Sequence, residues 1–148
     1  MKNPIRVVVH LMGNFFRGIR VMLYKRSGIE IGSNTMISLG AKLDLRRGKI
    51  TIGANCLITH GCYILSHDGA SHVINETDGG DGVVTIGDNV FIGVNSVVLR
   101  NVNIGSHAVI GAGSVVNKDI PEGAIAVGNP VKIIGFVPKP YKNLPQTH

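Results

Sequence analysis

Tryptophan is absent from this 148-residue chain, and four Phe and three Tyr bring the aromatic share to only 5%. A core with so few rings has to be filled by aliphatic side chains. Two cysteines, Cys56 and Cys62, are too few for a disulfide framework. No run of ~18 apolar residues is free of charge, so no segment reads as a membrane-spanning helix. Charged residues, at 16%, are too sparse for a disordered chain, and a hydrophobic share of 44% is enough for one core. Glycine is plentiful, 20 residues, but it does not recur every third position, which excludes collagen.

Acidic residues are missing from the first 28 positions, which hold Lys2, Arg6, Arg17, Arg20, Lys25 and Arg26. Those six account for the whole net charge of +6, because the other nine of the 15 bases balance the nine acids. The main body therefore has no basic surplus interleaved with aromatics, and no nucleic-acid partner is expected. Contact between residues 1–28 and an acidic membrane surface stays open. The apolar stretch from Ile5 to Val9 is broken by Arg6 and is followed by no small-residue cleavage site. The chain is accordingly expected in the cytoplasm, with the inner face of the membrane within reach of its N-terminus.

What the sequence does have is a period of six. Steps of six from Ile86 reach Ile92, Val98, Ile104, Ile110 and Val116, each a branched aliphatic. The residue after the aliphatic is usually glycine (Gly87, Gly93, Gly105, Gly111), and the fourth after it is small or β-branched. The same frame returns as Ile52, Ile58, Ile64 and as Ile31, Ile37, Leu43. Such a period is neither helical nor a simple strand alternation. It describes a triangular coil, in which each hexad makes one short strand and one corner, and three hexads make one turn of a parallel β-helix. The aliphatics are expected to point into the prism and to stack with a period of eighteen, Ile86 over Ile104 and Ile92 over Ile110. Glycine is expected to relax the turn. Cys56 and Cys62 fall on the small position and read as packing residues.

Two places break step. Three residues are inserted around Arg46-Arg47-Gly48, and a longer stretch, residues 66–83, is expected to bulge from the prism as a loop. That loop carries Asp68, Glu76, Asp78, Asp81, His67 and His72 but no Lys or Arg. Long loops in compact repeats are usually functional. Ahead of the prism, residues 1–28 read as an amphipathic helix, with Ile5, Val8, Val9, Met12, Phe15, Phe16, Ile19, Met22 and Leu23 on one face and Arg6, His10, Asn14, Arg17 and Arg20 opposite. It is expected to cap the open apolar end of the first coil, or to lay its basic face on anionic lipid. Residues 29–136 form the prism and 137–148 an extended tail.

The runs ITIGANCLI and VVTIGDNVFIGVNSVVLRNVNIGSHAVIGAGSVVNKDIPEGAIAVGNPVKII, with the His-bearing loop between them, resemble the hexapeptide-repeat acyltransferases. The nearest branch is that of the maltose/galactoside and polysaccharide O-acetyltransferases. The ending GAGSVVNKDIP…GNPVKII is the most specific part. The resemblance implies a left-handed β-helix, a homotrimer with active sites between neighbouring prisms, acetyl-CoA as acyl donor, no metal, and a sugar or glycan acceptor. It also implies that His67 is the catalytic base, taking the proton of an acceptor hydroxyl. Asp68, His60 and Phe91 fall where acceptor contacts are expected. Ala112, Lys118 and Lys132 match donor positions, Ala112 for the pantetheine arm and the two lysines for the phosphates. Lys132 stands where the family usually has Arg, Gly135 where a second basic residue is common, Phe91 where Trp is frequent, and Gly61 where sugar acetyltransferases often have Asn. His107 is expected to be solvated.

Other functions remain to be weighed. An amine on an amino or nucleotide sugar is a variant acceptor. A zinc hydratase of the γ-carbonic anhydrase type uses the same prism, and His67 and His72 have a ligand-like spacing, but the third His expected about two coils upstream is missing, since none lies between His10 and His60. A non-catalytic binding prism would bind no CoA.

Overall fold

The computed structural model describes residues 4–44, 46–74 and 79–141. Helix α1 (Pro4–Arg26) is followed by four coils of short strands. Coil one holds β1 (Glu30–Ile31), β2 (Met36–Ile37) and β3 (Lys42–Leu43), and coil two holds β4 (Lys49–Ile52), β5 (Leu57–Ile58) and β6 (Tyr63–Ile64). Coil three holds β7 (Val83–Ile86), β8 (Phe91–Ile92) and β9 (Val97–Val98), and coil four holds β10 (Val102–Ile104), β11 (Val109–Ile110) and β12 (Val115–Val116). Strands β13 (Ala124–Val127) and β14 (Lys132–Phe136) close the stack. Equivalent strands pair in parallel into three sheets, the faces of a left-handed β-helix: β1-β4-β7-β10 is face one, β2-β5-β8-β11-β13-β14 face two, and β3-β6-β9-β12 face three.

The register is the one the period demands. Ile104 lies opposite Ile86, Ile110 opposite Ile92 and Val116 opposite Val98. These side chains, with Ile37, Ile58 and Ile64, are fully buried. Each such burial is worth about 1.5–3 kcal/mol, so the prism is held by a stack of equal small gains rather than by one large cluster. The position four after the aliphatic does more than pack. Thr35 donates to the Gly53 carbonyl (2.6 Å), Cys56 to Gly87 (3.0 Å), Cys62 to Gly93 (3.1 Å) and Ser96 to Gly111 (3.0 Å), each one coil up. Both cysteines are buried and free.

The corners correct one expectation. The glycine after each aliphatic does not supply the left-handed turn. That conformation belongs to the third residue after the aliphatic: Asn34, Asn55, Asn89, Asn95, Asn101 and His107 all have φ between 55° and 61°. Asn tolerates this region better than other side chains. The preceding glycines are needed for closeness instead. A Cβ on Gly87, Gly93 or Gly105 would stand 2.5–2.6 Å from a backbone nitrogen of the next coil.

Helix α1 corrects a second one. Its apolar face does not cover the prism. The half-buried side chains are Arg17, Ile19, Arg20 and Val21, and Tyr24 is buried. Arg17 donates to Met36 Sδ (3.7 Å), Arg20 to the Ala41 carbonyl and to Tyr24 Oη (3.0 Å), and the Leu43 amide to Tyr24 Oη (3.4 Å). The first coil is capped by the last turns of the helix, and most of the apolar face is left exposed. The side chains of Arg6 and His10 lie outside the described residues.

The extruded loop spans residues 65–82, since Val83 already begins β7. It contains a short helix, α2 (Gly69–Ile74). Residues 75–78, which include Glu76 and Asp78, and the side chain of His72 lie outside the described residues, as do residues 142–148 of the tail. The described part of the tail returns along the prism: the Val137 amide donates to the Gly123 carbonyl (2.7 Å), and the Tyr141 ring stacks on His107 at 4.2 Å. His107 is therefore a half-buried corner residue under a tyrosine, not a solvated one.

Candidate active site

The loop leaves the corner between faces three and one and is zipped at its base. The Gly82 amide donates to the Ser66 carbonyl (2.8 Å) and the Asp68 amide to Gly80 (2.9 Å), and His67 bridges Asp81 in antiparallel fashion. His67 is half-buried in this ladder. A Cβ on Gly80 or Gly69 would lie 3.7 or 3.9 Å from its ring, so the two glycines flank the imidazole.

Asp68 is turned to the loop itself. Its Oδ1 accepts from the Ala70 amide (2.9 Å) and its Oδ2 from Ser71 Oγ (3.1 Å), an N-cap arrangement for the first turn of α2. These bonds, led by the one from Ala70, hold its carboxyl below the usual value. The carboxyl expected at an acceptor contact thus also caps α2.

Two arginines that sequence reasoning did not single out hold the loop. Arg100, in coil three, donates to Ser71 Oγ (2.5 Å) and to the Asp81 carbonyl (3.5 Å), with Nε 3.8 Å from Asp68 Oδ2. Arg47, in the three-residue insertion, donates to the Gly79 carbonyl (3.2 Å) and lies 3.8 Å from Asp81. Its own carbonyl accepts from Ser66 Oγ (2.5 Å). The two breaks in the hexad count thus stack at one corner. The signal was present: a lysine- and arginine-free acidic loop and an Arg-Arg insertion, both breaks in the same count, invite such contacts.

Four of the remaining expected site residues fall on two edges of the prism. Lys118 lies two residues beyond β12, as Arg100 lies two beyond β9 and Ser66 two beyond β6, so Lys118 shares the edge of His67. Ala112 lies two residues beyond β11, at the corner between faces two and three. His60 occupies the same corner two coils lower, where its amide neighbours continue the column: Asn95 donates to the His60 carbonyl (3.0 Å) and Gly113 to Val94 (2.8 Å). The His60 ring is exposed overall and lies over Gly40, where a Cβ would overlap it. Lys132 opposes Val127 at the end of face two, near Ala112. Ala112, Lys118 and Lys132 are all exposed. One chain therefore does not bring His67 together with His60, Ala112 and Lys132. Face three separates the two groups.

Phe91 is at neither edge. It stands in the middle of face two, in an outward row with Met36, Leu57, Val109 and Ile125, all half-buried. The corresponding row on face one is Glu30, Thr51, Thr85 and Asn103. Gly61 has φ of 73°, the left-handed corner position that Asn holds elsewhere in the prism, and the Asn95 side chain lies over the place its Cβ would take. Among the described residues, no three His, Cys, Asp or Glu side chains converge as a metal site.

Hexads closed three to a coil into a triangular prism, with one histidine-bearing loop at a corner and basic side chains along the edges, define a hexapeptide-repeat transferase. The family described as bacterial transferase hexapeptide (six repeats) matches residues 83–118. Putative acetyltransferase YvoF of Bacillus subtilis is 37% identical over 121 residues, which cover 80% of this chain and 67% of that protein. The polysialic acid O-acetyltransferase of Neisseria meningitidis is 29% identical over 88 residues, covering 56% of this chain and 40% of that one. The hexapeptide-repeat acetyltransferase VCA0836 of Vibrio cholerae, solved with acetyl-CoA, superposes with a TM-score of 0.67 at 29% identity, over 75% of this chain and 61% of the other. This chain belongs to the hexapeptide-repeat family of acetyltransferases. It spans between 40% and 67% of the length of these three relatives.

Proposed function

We propose that the protein transfers the acetyl group of acetyl-CoA to a hydroxyl of a sugar unit in a surface glycan or its precursor, in the cytoplasm, with His67 as general base. The observation that carries this reading is the His67 imidazole, half-buried and flanked by two glycines on a loop fastened to the prism at its base. A sugar hydroxyl is a poor nucleophile at neutral pH. The imidazole takes its proton as the oxygen attacks the thioester carbonyl, a contribution of ~10²–10⁴-fold. The new C–O bond forms, the C–S bond breaks, and the imidazolium returns the proton to the leaving thiolate. The buried cysteines take no part. The glycan acceptor draws support from the Neisseria relative, and the donor from the Vibrio one.

The active unit in this reading is a homotrimer. A donor that touches Ala112 and Lys132 on one edge and meets His67 and Lys118 on another needs two chains, with one edge of each prism facing the other edge of its neighbour. The apolar outward row of face two, Phe91 included, suits burial between prisms, whereas the polar row of face one does not.

The test is free-thiol release from acetyl-CoA against a panel of sugars and oligosaccharides, for wild type and His67→Ala, with CoA binding followed by calorimetry. Turnover that disappears in the variant while CoA still binds is the expected result. Unchanged turnover in His67→Ala removes His67 as the base. Absence of both turnover and CoA binding in the wild type overturns the transferase reading.

A further inference from the structure

The rotation of α1 about its axis leaves an unusual surface. At 3.6 residues per turn, Val7, Val8, Val9, Leu11, Met12, Phe15, Phe16, Ile19, Met22 and Leu23 share an arc of roughly 200°. Between Val7 and Leu23 no charged residue falls on it. The opposite arc holds Gly13, Arg17, Arg20, Val21 and Tyr24, and it is the one fastened to the first coil through Arg17 to Met36, Arg20 to Ala41, and Tyr24 to Leu43. The prism therefore fixes the helix with its apolar arc turned outward. Val9 is 62% exposed, Leu11 64% and Phe15 65%.

We propose that α1 lies in the interface of an anionic lipid bilayer, apolar arc down, and holds the prism against the membrane. Three observations favour lipid over another helix. The arc is about twice the ~100° stripe that a core-facing helix needs, and far wider than a coiled-coil seam, so one neighbouring helix would leave much of it bare. The charge is complementary: residues 1–28 contain six cations and no acid, of which Arg17 and Arg20 are held by the first coil while Lys25 and Arg26 are not. Lys25 and Arg26 are exposed at the end of the helix nearest the prism, where they reach headgroup phosphates as the apolar side chains enter the acyl boundary. No helix among the described residues is long and apolar enough to cross a membrane, which leaves α1 lying along the surface. The placement stands apart from the acetyl-transfer reading, since it uses no residue of the candidate site.

The experiment is co-sedimentation of the full chain with vesicles of phosphatidylcholine alone and of phosphatidylcholine with phosphatidylglycerol. Circular dichroism and sedimentation mass are measured in parallel on every variant. Wild type is expected to bind the phosphatidylglycerol vesicles and to lose that binding as salt is raised. Leu11→Glu/Phe15→Glu, on the outward arc, is expected to bind at least ~10-fold more weakly with its circular dichroism and mass unchanged. Lys25→Gln/Arg26→Gln is expected to weaken binding to the anionic vesicles and leave the weak binding to phosphatidylcholine as it was. No binding by wild type, or equal binding by Leu11→Glu/Phe15→Glu, overturns the proposal. So does a fall in oligomeric mass in Leu11→Glu/Phe15→Glu without vesicle binding by the wild type, which assigns the arc to a second copy of the chain.

Discussion

Arg100 Nη2 lies 2.5 Å from Ser71 Oγ, and through this contact coil three holds the short helix that follows His67. The same guanidinium reaches the Asp81 carbonyl on the returning strand of the loop, so it spans both sides of the zipper. Arg100→Ala is expected to lower kcat by about 10-fold with little change in KM for acetyl-CoA, because it frees the imidazole's support and not the donor site. The amides of Asp68 and Gly82 should exchange faster. The melting temperature should move little, since partly exposed ion pairs are worth about 0–1 kcal/mol.

His67 and His60 lie on different edges, which separates their variants. His67→Ala should reduce acetyl transfer by ~10²–10⁴-fold and leave thermal stability nearly unchanged. His60→Ala should change kcat by less than about tenfold, because the proposed proton transfer runs through His67. The comparison is made by thiol release under saturating acetyl-CoA.

Asp68 links the loop to acid pH. Its folded carboxyl is held below the usual value chiefly by the Ala70 amide, then by Ser71. A lowered folded value means that its contribution is present above the unfolded value of ~3.9 and is lost as pH falls through the folded one. Capping of α2 should therefore weaken below about pH 4. The Ala70 amide shift in an NMR titration should follow this transition, and Asp68→Asn should abolish it.

Cys56 and Cys62 donate to carbonyls inside the prism wall, and burial raises the Cys56 thiol above its ordinary value. Neither thiol should react with an aromatic disulfide reagent in the native protein, and both should react together on unfolding. Fast labelling of Cys56 in the folded state would contradict the placement.

The corners make two kinds of substitution unequal. Asn95 has φ of 58°, so Asn95→Val should cost about 1–2 kcal/mol and Asn95→Gly much less. Gly93 has no left-handed backbone, yet Gly93→Ala should destabilise as well, because its Cβ would meet the Ala112 nitrogen at 2.5 Å. Denaturant midpoints of the three variants decide this.

The prism was legible because its signal is repeated. One aliphatic in six, carried through three blocks, leaves few alternatives, and Ile86 over Ile104 follows from the count alone. The loop was legible as a break in that count, and His67 through resemblance to a family. The rest depended on facts a period does not hold. The helix carried a clear apolar face, but which face meets the prism was decided by Arg20, Val21 and Tyr24, near its end. Asp68 followed by Gly69, Ala70 and Ser71 carries a capping signal for α2, hidden by reading the stretch as an acidic loop. His107 lost its solvent to Tyr141, which arrives from 34 residues further along the chain. The split of the site residues between two edges emerges only when positions are assigned to faces.

Strand β14 runs antiparallel against β13 at the end of face two, while the strands below it run parallel. A stack of short parallel strands is in principle without end: each coil offers the next the same row of amides and carbonyls, the template from which fibrils grow. Reversing the chain once, at Asn129-Pro130, presents a newcomer on that face with the wrong polarity. Growth along the axis is thereby blocked on that face.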